Sequence, residues 1–536
     1  MDKKIFGFRW KKMQQILAAG VVFLFFRGWA AERITESKVQ PAAVFGSGMV
    51  FQQGEPIRVW GTAASGQSVR VRLGEDLRDT TANEQGGWLV EFPSRKASFD
   101  PLTLQINEFR YEDILVGEVW LCSGQSNMAL SMQHIQNKES YLADAENPFL
   151  RIAANDAVRD ASGNQKGCWP EESLARCSPS AFFRVRWSSS TRQAAEKCSA
   201  VAWLMGSELQ KKLGVPVGIV VVSSGGSALN NWIPPDALKA HPLTASLFDK
   251  DWLTNEDVRS QHRIQAVTAF QNVMGDCRPS VTGNRVINTG APWLAGQMPY
   301  RWYREPGFLF EAGIAPLRYL SFRGVLWYQG ESDAESEKQV ERAKSLFPML
   351  VNSWRGFFGK KLPFVCIQLP GWGKGLSWPQ FRELQRGMEK EIPGISVVVT
   401  IDTGDEENVH PRDKGMVGMR SAHVVLRDIY GRKELPAFPQ VSGVRRSGSS
   451  LIITLTECGG GLKPVAGVVT GFEVAGHSGI YSRAEACITA PDTVEIRSPV
   501  ADPVAVRYGW QPFPSPPLQL FNSAGLPLGP FQLKIE

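Results

Sequence analysis

Residues 117–132 read GEVWLCSGQSNMALSM. Val119, Trp120 and Leu121 have the apolar character of a strand, Gly124-Gln125-Ser126-Asn127 reads as a sharp turn, and Met128 onward as the start of a helix. An apolar strand that stops at a glycine and a small polar cluster has two readings. In the first, Gly124 permits the turn and Ser126 or Asn127 caps the helix. In the second, Ser126 is a nucleophile held where a strand end meets a helix N-terminus, whose free N–H groups stabilise an anion. The rest of the chain decides between them.

Working outward, further apolar strand candidates recur at 217–223 (VGIVVVS), 323–329 (RGVLWYQ), 363–369 (PFVCIQL) and 394–402 (GISVVVTID). Amphipathic helix candidates lie between them at 199–214, 335–359, 379–392 and 414–431. Continuously apolar strands alternating with helices indicate a parallel sheet covered on both faces. Residues 113–431 therefore read as a doubly wound α/β domain. A polar, Trp- and Arg-containing stretch at about 240–310 breaks the rhythm as an insertion over the loop end of the sheet. Short alternating runs punctuated by Gly and Pro place a small β-sandwich at 31–112, and SSLIITLTE, DTVEIRSP and PVAVRYGW place a second small β-domain at 432–536.

A chain of 536 residues exceeds one domain, and its 43% hydrophobic and 21% charged content supplies an ordinary globular core. The formal charge is +6, but Lys3, Lys4, Arg9, Lys11, Lys12 and Arg27 against Asp2 place +5 of it in the first 30 residues. The remainder gives no electrostatic case for nucleic acid. All of these basic residues but Arg27 precede the short apolar stretch ILAAGVVFLFF at 16–26, which is followed by the small residues Gly28 and Ala30. This is the layout of a secretory signal peptide, residues 1–30, and predicts a secreted or periplasmic protein with no membrane attachment after cleavage. None of the eight cysteines forms a CxxC pair, so zinc and redox motifs are unsupported. Cys122 and Cys366 read as buried thiols, and Cys168 with Cys177 as a candidate local disulfide. No metal and no cofactor is expected, and oligomeric state is not legible.

Ligands of open α/β sheets sit outside the carboxyl ends of the strands. There the chain places Gly124-Gln125-Ser126-Asn127, then SSGGSALNNW with Gly225 and Gly226, then WYQGESD with Gln329 and Glu331, then DTGDEENVHPRDK with His410. Each alone is a common turn or loop feature. Together they bring a nucleophile, a glycine pair, a carboxamide and a histidine to one rim, which suits acyl transfer. The histidine takes the serine proton, an acid orients the imidazolium, and fixed donors at Ser126 N–H, Gly226 N–H and the Gln329 carboxamide receive the oxyanion. Met128 stands where G-x-S-x-G needs its second glycine, which excludes the α/β-hydrolase elbow.

GQSNM, SSGGSALNNW, WYQGESDA and NVHPRDK resemble, in order, the blocks of the sialate O-acetylesterase family of SGNH hydrolases. The likeness extends to GMVFQQGEPIRVWGTAASGQSVRV and to the C-terminal PVAVRYGWQPFPSPPLQLFNSAGLPLGPF. It implies a flavodoxin-like α/β domain flanked by small all-β domains. The expected activity is hydrolysis of acetyl esters on sugar hydroxyls through an acetyl-serine intermediate. O-acetylated sialic acid is the expected substrate, with acetylxylan or another acetylated glycan, or a glycan-binding protein without catalysis, as alternatives. Carried over, Ser126 is the nucleophile, His410 the base, and Gly226 and Gln329 oxyanion donors; Gln125, Asn127, Glu331 and Trp232 are expected to bind substrate. The superfamily's acid stands three residues before the histidine, which selects Glu407 over Asp405, with uncharged Asn408 third. The chain departs from the family at Ser224, at Asn230-Asn231 and at Asn408.

Overall fold

The structure is a computed structural model that describes residues 38–155, 179–248, 304–463 and 469–535. The signal-peptide stretch, most of the 240–310 insertion and the Cys168/Cys177 pair lie outside these residues. No helix among the described residues is long and apolar enough to cross a membrane.

The chain divides into two compact units. The smaller gathers residues up to Ala42, Arg58–Glu91 and Leu104–Arg110. Its hairpin pairs Ser68–Leu73 with Asp76–Thr81, and Ser68–Leu73 buries every second side chain (Val69, Val71 and Leu73), as a half-solvated strand should. The larger unit holds Ala43–Ile57, Phe92–Thr103 and everything from Tyr111 onward. The β-rich stretch expected at 31–112 is thus divided between the two units, and the C-terminal β-rich segment belongs to the same unit as the α/β domain.

The larger unit is built on a mixed sheet of seven strands: β1 (Phe109–Gly124), β2 (Asn147–Asn155), β3 (Val185–Ser190), β4 (Val217–Ser223), β5 (Gly324–Tyr328), β6 (Phe364–Ile367) and β7 (Ile395–Val398), in the spatial order β3-β2-β4-β1-β5-β6-β7. All pairs from β2 to β7 are parallel, and β3 closes the edge antiparallel to β2. Five of the strands coincide with the apolar runs of the sequence. The β2–β3 pair was not expected, because its short, mixed runs carry no continuous apolar signature.

The principal helices are α1 (Ser126–Ala129), α2 (Ala200–Leu213), α3 (Glu337–Phe358), α4 (Trp378–Glu391) and α5 (Gly415–Val424). Ser199 caps α2 by accepting the Ala202 N–H, Ser336 caps α3 at Gln339, and Gly214 and Gly359 end the two helices in left-handed conformation. On α3 the buried Val340, Ala343, Leu346, Phe347, Leu350, Val351 and Trp354 recur at three- and four-residue spacing, so one face meets the sheet. Successive β5 residues face opposite ways. Leu326 and Tyr328 join the core shared with α2 and α5, and the Trp327 ring packs edge-on to Trp354 of α3 at 5.7 Å. Both faces of the sheet are therefore covered, and its carboxyl ends are left to form a site.

After α5 the chain forms a seven-stranded antiparallel sheet whose apolar face continues the core of the α/β part without a break. One buried cation fastens the two parts. Arg382 of α4 donates through Nη1 to the carbonyls of Pro370 (3.0 Å) and Pro512 (3.3 Å) and through Nη2 to that of Gln511. Trp372 N–H also donates to Pro512, at 2.9 Å. Burial lowers the Arg382 pKa to about 9.

Candidate active site

β1 ends at Gly124, whose φ of 140° suits only glycine, and a β-carbon there would stand 2.1 Å from the Tyr328 carbonyl. That close approach sews the turn to its neighbours: Gln125 N–H donates to Tyr328 O at 3.0 Å, and Ser224 N–H to Gly124 O at 3.0 Å. The turn leads into α1, a single helical turn that already begins at Ser126.

Ser126 sits half-buried at the start of α1 and His410 in the loop after β7, and the two meet with Nε2 2.7 Å from Oγ. In the neutral imidazole with its proton on Nδ1, Nε2 accepts the Ser126 hydroxyl. Burial first, and the Lys414 ammonium second, lower the His410 pKa below the usual histidine range. The glycine loop after β4 closes the third side: Gly226 has φ 67°, and a β-carbon on Gly225 would lie 3.8 Å from Ser126 Cβ. Among the described residues neither the Ser126 nor the Gly226 N–H has a hydrogen-bond partner, so both remain available to an oxyanion.

Four of the expected binding residues turn out to be scaffolding. Trp232 is wholly buried; its Nε1 donates to Ser227 Oγ (2.9 Å), and Ser227 in turn donates to Ser224 O (2.8 Å), so Trp232 braces the glycine loop from below and cannot touch a sugar. Gln125 is buried, with Oε1 accepting from Gln329 Nε2 (3.2 Å), Gly330 N–H (3.4 Å) and Ser332 N–H (3.3 Å). Asn127 is buried at a crossing of four segments: Nδ2 donates to Glu331 Oε1 (2.5 Å) and Val409 O (3.0 Å), and Oδ1 accepts from Lys414 Nζ (2.6 Å). Glu331 is therefore committed to Asn127, and burial raises its pKa.

Gln329 also departs from expectation. Its carboxamide is fully buried and Nε2 donates inward, to Asp333 Oδ2 at 2.6 Å and to Ser227 O at 3.3 Å, so it supports the glycine loop and is not aimed at Ser126. Asp333 also accepts the Leu229 N–H at 2.9 Å; burial raises its pKa to about 6, with these two hydrogen bonds opposing the shift. Asp333 and Lys414 were not singled out from the sequence although both stand inside the diagnostic blocks. A charged residue next to a motif reads as solvated until the fold buries it.

The expected triad acid is corrected as well. The Glu407 side chain is 84% exposed and faces Lys374 at 3.9 Å. Asp405 Oδ1 accepts the Glu407 and Asn408 N–H groups, both at 3.0 Å, and Asn408 Oδ1 accepts the His410 N–H at 2.9 Å. These two side chains make the turn that delivers His410 and do not reach its ring. Among the described residues no carboxylate bonds the imidazole, whose ring is paired there with Ser126. Glu407→Gln is accordingly expected to keep kcat/KM within about threefold of the parent, since an exposed, weakly paired charge contributes little. A kcat loss of several orders of magnitude, measured on a small acetyl ester, would restore Glu407 as the acid.

Residues 291–427 match the family model described as "Carbohydrate esterase, sialic acid-specific acetylesterase". The chain is 28% identical over 413 residues to the sialate O-acetylesterase of Mus musculus, covering 70% of this chain and 71% of the relative. It is 26% identical over 421 residues to that of Rattus norvegicus, with 70% and 71% coverage. Among solved structures, a carbohydrate acetylesterase from Xanthomonas citri superposes with a TM-score of 0.72 at 25% identity, covering 92% of this chain and 99% of that one. With the four motif blocks converging on Ser126 and His410, the chain is a carboxylic ester hydrolase similar to the sialate O-acetylesterases.

Proposed function

We propose that the protein is an exported serine esterase that removes acetyl groups from sugar hydroxyls, with O-acetylated sialic acid as its substrate. The 2.7 Å contact between Ser126 Oγ and His410 Nε2 carries this reading. Ser126 Oγ attacks the acetyl carbonyl as its proton passes to Nε2, and the N–H groups of Ser126 and Gly226 receive the developing oxyanion. Collapse expels the sugar hydroxyl, which takes the proton back from His410 and leaves acetyl-serine. Water activated by the same imidazole then releases acetate.

Export is supported by the basic and apolar character of residues 1–30. The acidic sugar is supported by Arg304, an exposed residue whose guanidinium lies against the glycine loop. A β-carbon at Gly226 would stand 2.1 Å from its Nη2. Asn231 holds the Arg304 backbone there by donating to its carbonyl at 2.7 Å. A guanidinium beside the glycine loop suits a substrate carboxylate. The mouse and rat relatives are named for sialate, and the Xanthomonas citri structure for carbohydrate acetyl esters.

Acetate release from a panel of O-acetylated sialosides and acetylated xylans tests the reading. Sialosides should be turned over fastest. Arg304→Gln should lower kcat/KM on sialosides by roughly 10- to 100-fold, the worth of one charge-assisted hydrogen bond, and leave an uncharged acetyl ester within a few-fold. Preference for xylan, or equal loss on both classes, would assign the enzyme to neutral polysaccharides, and no acetate from any substrate would leave a binding protein.

A further inference from the structure

Behind Ser126 lies a buried ionic group that the mechanism above does not use. Lys414 caps α5 and is 1% exposed, with Nζ bonded to Asn127 Oδ1 and standing 5.3 Å over the Tyr328 ring. The amide of Asn127 reaches the Glu331 carboxylate and the Val409 carbonyl, the backbone immediately before His410. An ammonium is thus fixed one side chain behind the nucleophile and four residues from the base, in a position closed to solvent and hence to substrate.

We propose that Lys414 is a positioning residue whose buried positive charge keeps the His410 imidazole neutral, and so able to act as a base, into mildly acidic solution. The inference rests on the esterase reading for its catalytic meaning, though not for its physical test. The charged and titratable groups around His410 are Lys414, Asp413 and Arg412 on its own segment and Asp405 and Glu407 upstream. Glu331, in the loop after β5, joins the same cluster through Asn127, and Arg304 stands at the glycine loop. Arg412 is directed away by its bond to the His134 carbonyl, at 2.9 Å. Asp405 is spent on two backbone N–H groups and Glu407 stands in solvent. Lys414 is therefore the cation that acts on the ring from within the protein, where water screens it least.

The direction follows from like-charge repulsion. A second positive charge on the imidazole costs more beside an ammonium than beside a neutral group, so protonation is deferred to lower pH. Lys414 is itself shifted down, to about 7, by burial against the opposing pull of Glu331 and Asp413. It is charged throughout the acidic range in which His410 titrates, so the effect is present where it is needed. A base active only when neutral loses its function as pH falls through its pKa, and a lowered pKa extends activity to more acid conditions.

Isotope-labelled histidine allows His410 to be titrated by NMR in the full chain, its signal identified by its loss in His410→Asn. Lys414→Met should raise the His410 midpoint by about one unit, and the acid limb of kcat/KM should move with it. Lys414→Gln, which keeps a donor to Asn127 without the charge, should do the same, and Lys414→Arg should titrate with the parent. A folded Lys414→Gln with the parent's midpoint would overturn the proposal, as would Lys414→Arg shifting together with Met and Gln, because shape and not charge would then be responsible. A parent without esterase activity would remove the functional reading, while the His410 midpoints would still decide this one.

Discussion

Ser126→Ala should fold as stably as the parent and lose at least about 10⁴-fold in kcat, the scale seen when a catalytic serine is removed from a hydrolytic site. Among the described residues the half-buried hydroxyl bonds only His410, so its loss leaves no described buried polar group stranded. The N–H groups of residue 126 and Gly226 survive the change, so substrate should bind with a nearly unchanged KM. Loss in kcat alone, with melting temperature preserved, is the signature to look for in steady-state kinetics. Activity above a few per cent of the parent's, or labelling by a serine-directed phosphonate at another residue, would show that the nucleophile is elsewhere.

Asn127→Ala should act on both stability and rate. The amide serves Glu331, Val409 and Lys414 at once, all of them within the protein. Deleting it leaves a carboxylate, a carbonyl and an ammonium without their common partner. Each buried group left unpaired costs roughly 1–3 kcal/mol, the charged ones at the upper end, so a loss of about 3–5 kcal/mol in urea unfolding is expected. The Val409 carbonyl would also lose its anchor, freeing the segment that carries His410, and kcat should fall by roughly 10²-fold or more, since small displacements in a catalytic pair are costly. A residue that merely held the sugar would instead raise KM and leave unfolding unchanged, and that outcome would return Asn127 to the binding surface.

The contrast between these two residues shows where sequence reading succeeds and where it stops. The apolar runs at 217–223, 323–329, 363–369 and 394–402 declared the parallel strands because both faces of such a sheet are dry, and Ser126 and His410 followed from their place at strand carboxyl ends. Topology brings residues to a rim without saying which way a side chain points. Gln125, Asn127, Glu331, Gln329 and Trp232 were all placed at the correct rim, and each points inward. Three-residue spacing favoured Glu407, but the Asp405 carboxylate and the Asn408 amide oxygen capture local N–H groups and turn Glu407 out to Lys374. Lys414 and Asp333 were unreadable because the burial that shifts their pKa values is created by segments hundreds of residues away or across the site. The β2–β3 extension escaped because β3, at the sheet edge, needs no uninterrupted apolar run, and β2 beside it carries only a short apolar run broken by Arg151.

Arg382 bears on how such an enzyme can change over generations. Its guanidinium is held by carbonyls from residues 511 and 512, and the loop it also holds at Pro370 leads to Gly373, which bonds the backbone of the histidine loop at Glu406 over 3.0 Å. A lineage that discarded residues 432–536 would strand a cation in the interior and slacken the approach to His410. The C-terminal sheet is therefore not a cassette to be traded among esterases; it must be inherited together with the catalytic half. Recombination breakpoints near residue 431 should be rare among functional descendants, and adaptation of the active site can arise from substitutions around residues 511–512, a hundred positions beyond the histidine.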